Sequence, residues 1–188
     1  VRSILILGLP LLTLGLIWSL PDGSLAILPL FDYQLVFVRS DTLSRLFATI
    51  FSIMAFAGGL YALKQERVLE LAAAFVYAGC AVGVVFAGDM ISLFIFWEIM
   101  ALASTIVVLS ADGSLSYRVS MRYFLVHVFG GTLLLVGILA HIQESGSTAF
   151  TAMEPDSFGT ILILAGFLIN AAAPPLSAWL SDAYPEAS

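Results

Sequence analysis

Charged side chains are scarce in this sequence of 188 residues, and Asp, Glu, Lys and Arg together make up only 11% of it. A soluble domain usually carries about 25% charged residues. The seven Lys and Arg residues are outnumbered by 13 Asp and Glu residues, whereas nucleic-acid interfaces depend on clustered positive charge. These shortages argue against a soluble globular domain and against a nucleic-acid partner.

Sulfur and imidazole ligands for a metal are also rare. Cys80 is the single cysteine, and His127 and His141 are the two histidines. One cysteine forms no intrachain disulfide and no multi-cysteine zinc or iron–sulfur site. The sequence also lacks a nucleotide-binding loop and a nucleophile triad. We therefore predict no cofactor, no metal and no catalytic site of the chain's own.

Apolar residues are abundant and make up 61% of the sequence. A helix needs about 20 mostly apolar residues to cross a bilayer, and open sheets would leave backbone groups unpaired in lipid. We therefore predict an all-α bundle of membrane-spanning helices in a single transmembrane domain, residues 1–188. Residues 35–38 are a candidate for a short surface strand. The six predicted spans are 3–20, 42–63, 68–88, 90–110, 119–141 and 158–180.

The positive charges divide unevenly between the two ends of these spans. Five lie on one side and two on the other, and the side richer in Lys and Arg is usually cytoplasmic. The loop 143–157, which has acidic but no basic residues, falls on the outer side. The predicted cytoplasmic set is Arg2, Lys64, Arg67, Arg118 and Arg122, and the outer set is Arg39 and Arg45.

Three polar side chains lie deep in the predicted spans. Glu98 is eight residues past Met90, which places it roughly 12 Å into span four. His127 lies roughly as far into span five, which runs in the opposite direction, and Asn170 lies roughly 16 Å into span six. The three side chains therefore share a level near the middle of the bilayer, where ionisable groups are costly and usually functional.

Two consecutive prolines interrupt span six. Pro174 cannot donate to the carbonyl of Asn170, and Pro175 cannot donate to that of Ala171. Non-helical backbone at this depth survives only inside protein or beside a water-filled cavity, and broken helices recur near the midplane of transporters. We predict that the span is broken at Pro174 and Pro175.

The chemistry of these residues suggests proton transfer. A carboxylate held between desolvation and a neighbouring cation can take up and release a proton, and a histidine titrates near neutral pH. Our hypothesis makes Glu98 the proton carrier and His127 a relay. The alternatives are a structural ion pair for Glu98, hydrogen-bonded packing for His127 and Asn170, and a plain kink at the prolines.

Two structural roles are predicted from residue type alone. Gly130, Gly131 and Gly137 allow close packing of span five against a neighbouring helix. Asp89 precedes span four and is expected to cap its first turn.

Several short motifs resemble one known family. Phe96-Trp97-Glu98 resembles the Phe-Trp-Glu motif of the proton-conducting membrane transporter family. That family comprises the antiporter-like subunits of respiratory complex I, the large subunits of Mrp-type Na+/H+ antiporters and membrane-bound hydrogenase relatives. The final residues 182–187 look most like the D-type branch of the large Mrp subunits. Further matches in chain order are Asp41-Thr42-Leu43-Ser44, Arg122-Tyr123-Phe124-Leu125 and Pro175-Leu176-Ser177-Ala178-Trp179-Leu180-Ser181-Asp182-Ala183.

The resemblance implies a fold of two inverted five-helix repeats, each with a broken helix. Spans three to six would be the first four helices of the first repeat, which makes this chain an N-terminal fragment. In the family, the Phe-Trp-Glu carboxylate pairs with a lysine five residues before the proline of a Pro-Leu-His motif. Here that position is Asn170, and Ser177 stands where the family has histidine. The implied proton path is Glu98 with Asn170, His127, Arg122 and Ser177.

These expectations lead to one functional prediction with two alternatives. The prediction is a proton-translocating subunit of a multi-subunit Na+/H+ antiporter, in a bacterial or archaeal plasma membrane. Its partners would be the other membrane subunits, the lipid bilayer, protons and Na+. One alternative is an antiporter-like, proton-pumping subunit of a complex I or hydrogenase relative, driven by redox chemistry in other subunits. The second alternative is a membrane scaffold that does not conduct, because Asn170 cannot supply the positive charge of the family lysine.

Overall fold

The computed structural model describes residues 2–65, 67–110 and 116–183, and these residues are mostly helical. Five of the helices are long and apolar enough to cross a membrane. The elements are α1 (Arg2–Ser19), β1 (Gly23–Leu30), β2 (Tyr33–Ser40), α2 (Thr42–Tyr61), α3 (Val68–Phe86), α4 (Met90–Leu109), α5 (Ser116–Ser145), α6 (Phe158–Asn170) and α7 (Ala178–Ala183). A short 3₁₀ turn, Ala62–Lys64, follows α2.

The chain divides into two compact units, residues 1–100 and 101–188, and the boundary falls within α4. In the first unit, α1, α2 and α3 pack around Ile17, Ala48 and Phe86. Asp41 caps α2 through a reciprocal pair of hydrogen bonds: its Oδ1 accepts from the Ser44 N–H at 2.8 Å, and its own N–H donates to Ser44 Oγ at 2.9 Å. Such a capping box satisfies donors that a helix start would otherwise leave unpaired.

An antiparallel hairpin joins α1 to α2. Gly23 pairs with Ser40 at its base, and Leu30 pairs with Tyr33 at its tip. The predicted strand at 35–38 lies within β2, whereas its partner β1 was not predicted. The sequence of β1 is apolar without alternation and contains Pro29, so it lacks the period-two pattern by which a strand is usually found.

In the second unit, α5 and α6 pack closely because glycines lie at the crossing points. A Cβ atom built at Gly137 would lie 2.8 Å from the Gly159 carbonyl oxygen. One built at Gly166 would lie 2.7 Å from the Gly130 carbonyl oxygen. Two antiparallel helices therefore contact each other through backbone at two levels seven residues apart. The predicted packing role of Gly130 and Gly137 is confirmed.

The predicted break in the last span is confirmed. The helix ends at Asn170, and two hydrogen bonds satisfy its last carbonyls. The Ala172 N–H donates to the Ile169 oxygen, and the Ala173 N–H donates to the Leu168 oxygen. This pattern is the Schellman motif, and Ala172 occupies its left-handed position with φ 52°. The prolines follow, and α7 begins at Ala178. Short helices on either side of an irregular turn replace one continuous span, within a helical membrane fold of the predicted class.

Candidate functional site

Glu98 lies on α4, two turns after its start, and the residues before it fix that part of the helix. The ring of Phe96 lies where a side chain on Gly83 of α3 would stand, with ring carbons 2.5 to 2.7 Å from the position of a built Cβ. The same ring makes an edge-to-face contact with Phe37 of β2 at 6.0 Å between centroids. This interlocking is possible only because residue 83 has no side chain.

The carboxylate of Glu98 is incompletely paired. Its Oε1 atom is buried, and within the described part of the chain it has no hydrogen-bond partner. An unpaired buried polar atom costs about 1–3 kcal/mol, more when it is charged, so it needs an explanation. A carboxylate that exchanges protons must at times have an oxygen free to accept one, and this geometry provides that oxygen.

Asp89 stands just before the same helix and is completely paired. It is 1% exposed, and its Oδ1 accepts from the Ser92 N–H at 2.8 Å. Its Oδ2 accepts from the Ser92 hydroxyl at 2.7 Å and from the Val36 N–H of β2 at 2.5 Å. The predicted cap of α4 is therefore confirmed, and the same side chain also holds the hairpin.

In the second unit, His127 on α5 is buried in an aromatic cluster. The imidazole stacks on Tyr123 at 4.0 Å between centroids and makes a nearly perpendicular contact with Trp179 at 4.6 Å. Its Nδ1 lies 3.0 Å from the Tyr123 carbonyl oxygen. A carbonyl oxygen only accepts hydrogen bonds, so Nδ1 carries the proton, and Nε2 is the nitrogen with a free lone pair.

Asn170 is the last residue of α6, and its side chain lies directly against α5. A Cβ built at Gly130 would stand 2.6 Å from Asn170 Oδ1 and 3.1 Å from Nδ2. Both amide atoms are buried, and neither has a partner among the described residues. Since Gly130 follows His127 by three residues, the amide and the imidazole lie about one helical turn apart along α5.

Of the remaining predicted path residues, Arg122 lines a groove in the second unit. The groove has a volume of about 1070 Å³, and its walls include Arg118 and Arg122 of α5, Ile169 of α6 and Pro175 and Trp179 of the segment after the break. The other lining side chains are mostly apolar, so the two arginines supply its charge. Ser177 begins α7 through its carbonyl, which accepts from the Leu180 N–H at 3.0 Å.

The structure thus brings His127, Asn170, Arg122 and the two prolines together in one unit. Glu98 lies in the other unit, so its meeting with His127 and Asn170 stays a prediction. In the residues that the structure describes, no group of three or more His, Cys, Asp or Glu side chains is placed to hold a metal ion. Taken singly, the Glu98 carboxyl and the His127 imidazole are groups that can exchange protons, whereas the Asn170 amide and the Ser177 hydroxyl can only form hydrogen bonds.

Two contacts at this site were missed from the sequence. The hydroxyl of Tyr123 donates to Ser104 Oγ at 2.8 Å, and the indole Nε1 of Trp179 donates to the Ile169 carbonyl oxygen at 3.0 Å. In the sequence, Tyr123 and Trp179 stand out only as members of the matched motifs. Their position inside the matched motifs was the available signal, but spacing along a helix does not reveal which side chain meets which carbonyl.

Comparison with known proteins identifies the family of the chain. Residues 87–188, more than half of the chain, match the family model described as NADH:quinone oxidoreductase/Mrp antiporter, TM. The chain belongs to this family. It is accordingly an integral membrane protein of the antiporter-like class, and the expected resemblance is confirmed.

Individual relatives come from both branches of the family. The chain is 30% identical to NADH-quinone oxidoreductase subunit N of Deinococcus radiodurans, over 61% of this chain and 26% of that one. It is also 30% identical to one subunit of a probable K(+)/H(+) antiporter of Rhizobium meliloti, over 56% of this chain and 22% of that one. A chain of respiratory complex I from Thermus thermophilus superposes with a TM-score of 0.80 at 24% identity, covering all of this chain and 43% of that one. The chain therefore spans about a quarter of the length of these curated relatives.

Proposed function

We propose that this chain is part of a proton-translocating subunit of a multi-subunit monovalent cation/proton antiporter, and that Glu98 carries the proton. The observation that supports this most is the buried Oε1 of Glu98, which has no partner in the described residues. Ionisable groups inside membrane helices are rarely kept without a function. The family to which the chain belongs includes Mrp antiporters by its own description.

In this proposal, His127, Asn170, Arg122 and Ser177 form the rest of the proton path. Arg122 lines the groove, and the helix break begins directly after Asn170. His127 offers Nε2 as an acceptor about one turn away. Asn170 can bind water or a proton donor through its amide but carries no charge. Arg122 is permanently charged, so His127 is the group on this path whose positive charge would appear and disappear with protonation.

The test is proton flux through the full-length protein in its complex, reconstituted in lipid vesicles with a Na+ or K+ gradient. We expect Glu98→Gln to reduce flux to the background of empty vesicles, because an amide cannot release a proton. Glu144→Gln is the matched control, since it removes the same charge from an exposed position at the end of α5 and should leave flux unchanged. Full flux in Glu98→Gln would refute the proposal and favour the scaffold.

A second candidate is a redox-driven subunit of a complex I relative. It is favoured by the 30% identity to an NADH-quinone oxidoreductase subunit N. The discriminating experiment is purification of the full-length protein from its native membrane, followed by identification of the subunits that remain bound. Quinone-reductase or hydrogenase subunits would decide for the redox candidate, and membrane subunits without redox centres would decide for the antiporter.

We further propose that the membrane is a bacterial or archaeal plasma membrane. Lys64, Arg67 and Arg118 would face the cytoplasm, because positive residues concentrate on that side. Single cysteines at positions 64 and 144, in a Cys80→Ser background, test this arrangement. A membrane-impermeant maleimide applied to intact cells should label position 144 and leave position 64 unlabelled, and the reverse pattern would overturn the orientation.

A further inference from the structure

The indole of Trp179 connects the two sides of the helix break. Trp179 lies in α7, after the break, and is 8% exposed. Its Nε1 donates to the carbonyl oxygen of Ile169, ten residues earlier in the last turn of α6. The backbone between these two points is irregular and contains both prolines. This hydrogen bond therefore connects α7, after the break, to the last turn of α6, before it.

The same ring also contacts the buried histidine. Its centroid lies 4.6 Å from that of His127 with the planes at 77°, and 5.3 Å from that of Tyr123 with the planes at 80°. Such nearly perpendicular contacts are a preferred arrangement of aromatic pairs. Tyr123 is the titratable side chain that stacks on the imidazole, its hydroxyl is fixed by Ser104, and the indole lies beside this stacked pair.

We propose that Trp179 is a positioning residue that couples the broken helix to the orientation of His127. A movement of α7 that breaks the bond to the Ile169 oxygen also withdraws the indole from the imidazole. Among the described residues, His127 would then keep its stacking on Tyr123 and the hydrogen bond from Nδ1 to the Tyr123 carbonyl oxygen. Trp179 therefore links two things. One is the hydrogen bond across the break between α6 and α7, and the other is the direction in which the Nε2 lone pair of His127 points.

This inference rests on the proposed function, in which His127 belongs to the proton path, and it adds a role for a residue outside that path. A merely structural tryptophan would lower activity in proportion to the amount of folded protein. A positioning tryptophan changes how His127 exchanges protons, and this alters the pH at which flux is half-maximal. The two roles therefore predict different measurements.

The experiment uses Trp179→Phe in the full-length protein within its complex, because phenylalanine keeps an aromatic edge but has no N–H donor. We expect flux to fall roughly tenfold at its optimum, as for misplaced groups in a reaction path. We also expect the half-maximal pH to move by about half a unit or more. Trp18→Phe is the matched control: Trp18 donates to Thr49 Oγ1 at 3.1 Å in the first unit, and its loss should change neither quantity.

The pH profile and a double variant decide the outcome. If Trp179 acts through His127, Trp179→Phe should have little further effect in a His127→Gln background. An unchanged half-maximal pH in Trp179→Phe would overturn the inference. So would a double variant whose loss of flux equals the product of the losses in the two single variants. If His127→Gln has no flux of its own, the pH profile of Trp179→Phe decides by itself.

Two further measurements keep the test decisive. If Trp179→Phe does not accumulate, Tyr123→Phe replaces it: it keeps the stacked ring, removes the bond to Ser104 and should shift the half-maximal pH for the same reason. Full flux in Glu98→Gln would refute the proposed function as a whole. Loss of flux in Glu98→Gln together with an unshifted Trp179→Phe profile would refute only the role of Trp179.

Discussion

The two carboxylates at the start and in the middle of α4 differ in their surroundings. Asp89 is nearly inaccessible and accepts hydrogen bonds from three donors, two on Ser92 and one on Val36. Glu98, nine residues later, is half-buried and has a buried oxygen without a partner in the described residues. Full pairing fits a structural role for Asp89, and a free oxygen is what the proposed proton carrier needs.

Two capping residues and Asn170 show the same contrast elsewhere in the chain. Asp41 and Ser157 cap α2 and α6 through backbone N–H groups. Asn170, by contrast, has a buried amide without a described partner. The cost of an unmade buried hydrogen bond, about 1–3 kcal/mol, is therefore avoided at these two caps and accepted at Asn170.

The largest stability effect is expected at Asp89. Asp89→Ala would leave the Ser92 N–H, the Ser92 hydroxyl and the Val36 N–H without their acceptor, which should cost about 3 kcal/mol or more. Unfolding of the purified protein in mixed micelles, followed by circular dichroism as denaturing detergent is increased, measures this loss. Asp89→Asn keeps one acceptor oxygen and should lose less. If Asp89→Ala were as stable as the wild type, Asp89 would not have the structural role that this comparison assigns to it.

A smaller effect on stability, combined with a loss of proton flux, is expected at Asn170. Asn170→Leu removes two buried polar atoms that have no described partners and replaces them with an apolar side chain of similar size. Stability should change by no more than about 1 kcal/mol, in either direction, because no paired donor or acceptor is lost. Proton flux should fall, since the amide lies on the proposed path. A stability loss as large as that of Asp89→Ala would show that Asn170 belongs with the structural group.

Gly130 provides a control for the position of that amide. Gly130→Ala places a Cβ 2.6 Å from Asn170 Oδ1, so one of the two must move. The substitution should be better tolerated in an Asn170→Ala background, where the amide is absent. If Gly130→Ala lowered stability by the same amount in both backgrounds, the added Cβ would be straining the backbone and not displacing Asn170.

The smallest effect is expected from Asp41, outside the membrane span. The Ser44 N–H, with help from Arg39 at 3.7 Å, lowers the pKa of the Asp41 carboxyl below its ordinary value of 3.8. A lowered folded-state pKa gives stability that is present above about pH 4 and is lost as the pH falls through the folded value. Asp41→Asn should remove this acid dependence and cost at most about 1 kcal/mol near neutral pH, because the side chain is 47% exposed. Denaturing-detergent titrations at pH 3 and pH 7 measure the difference.

Much of this arrangement could be predicted from the sequence because membrane physics constrains it strongly. The lengths of the apolar runs indicated the helices, Asp89 indicated the start of α4, and Pro174 and Pro175 indicated the break. The β1 strand was not predicted, since its apolar residues do not alternate. Depth along a helix follows from counting, but the direction of a side chain depends on neighbouring helices. The contacts of Trp179 with Ile169 and His127 were therefore beyond the reach of the sequence.

The paired glycines of α5 and α6 also determine which motions this part of the molecule allows. Gly130 faces Gly166, and Gly137 faces Gly159, with backbone touching backbone at both levels. Sliding α6 along α5 by one turn would drive side chains into those contacts. A shift of seven residues, about 10.5 Å, would bring only one glycine pair back into register. The glycine contacts therefore hold the two helices in one register, and any movement of α7 relative to α6 would have to occur in residues 171–177, which connect them.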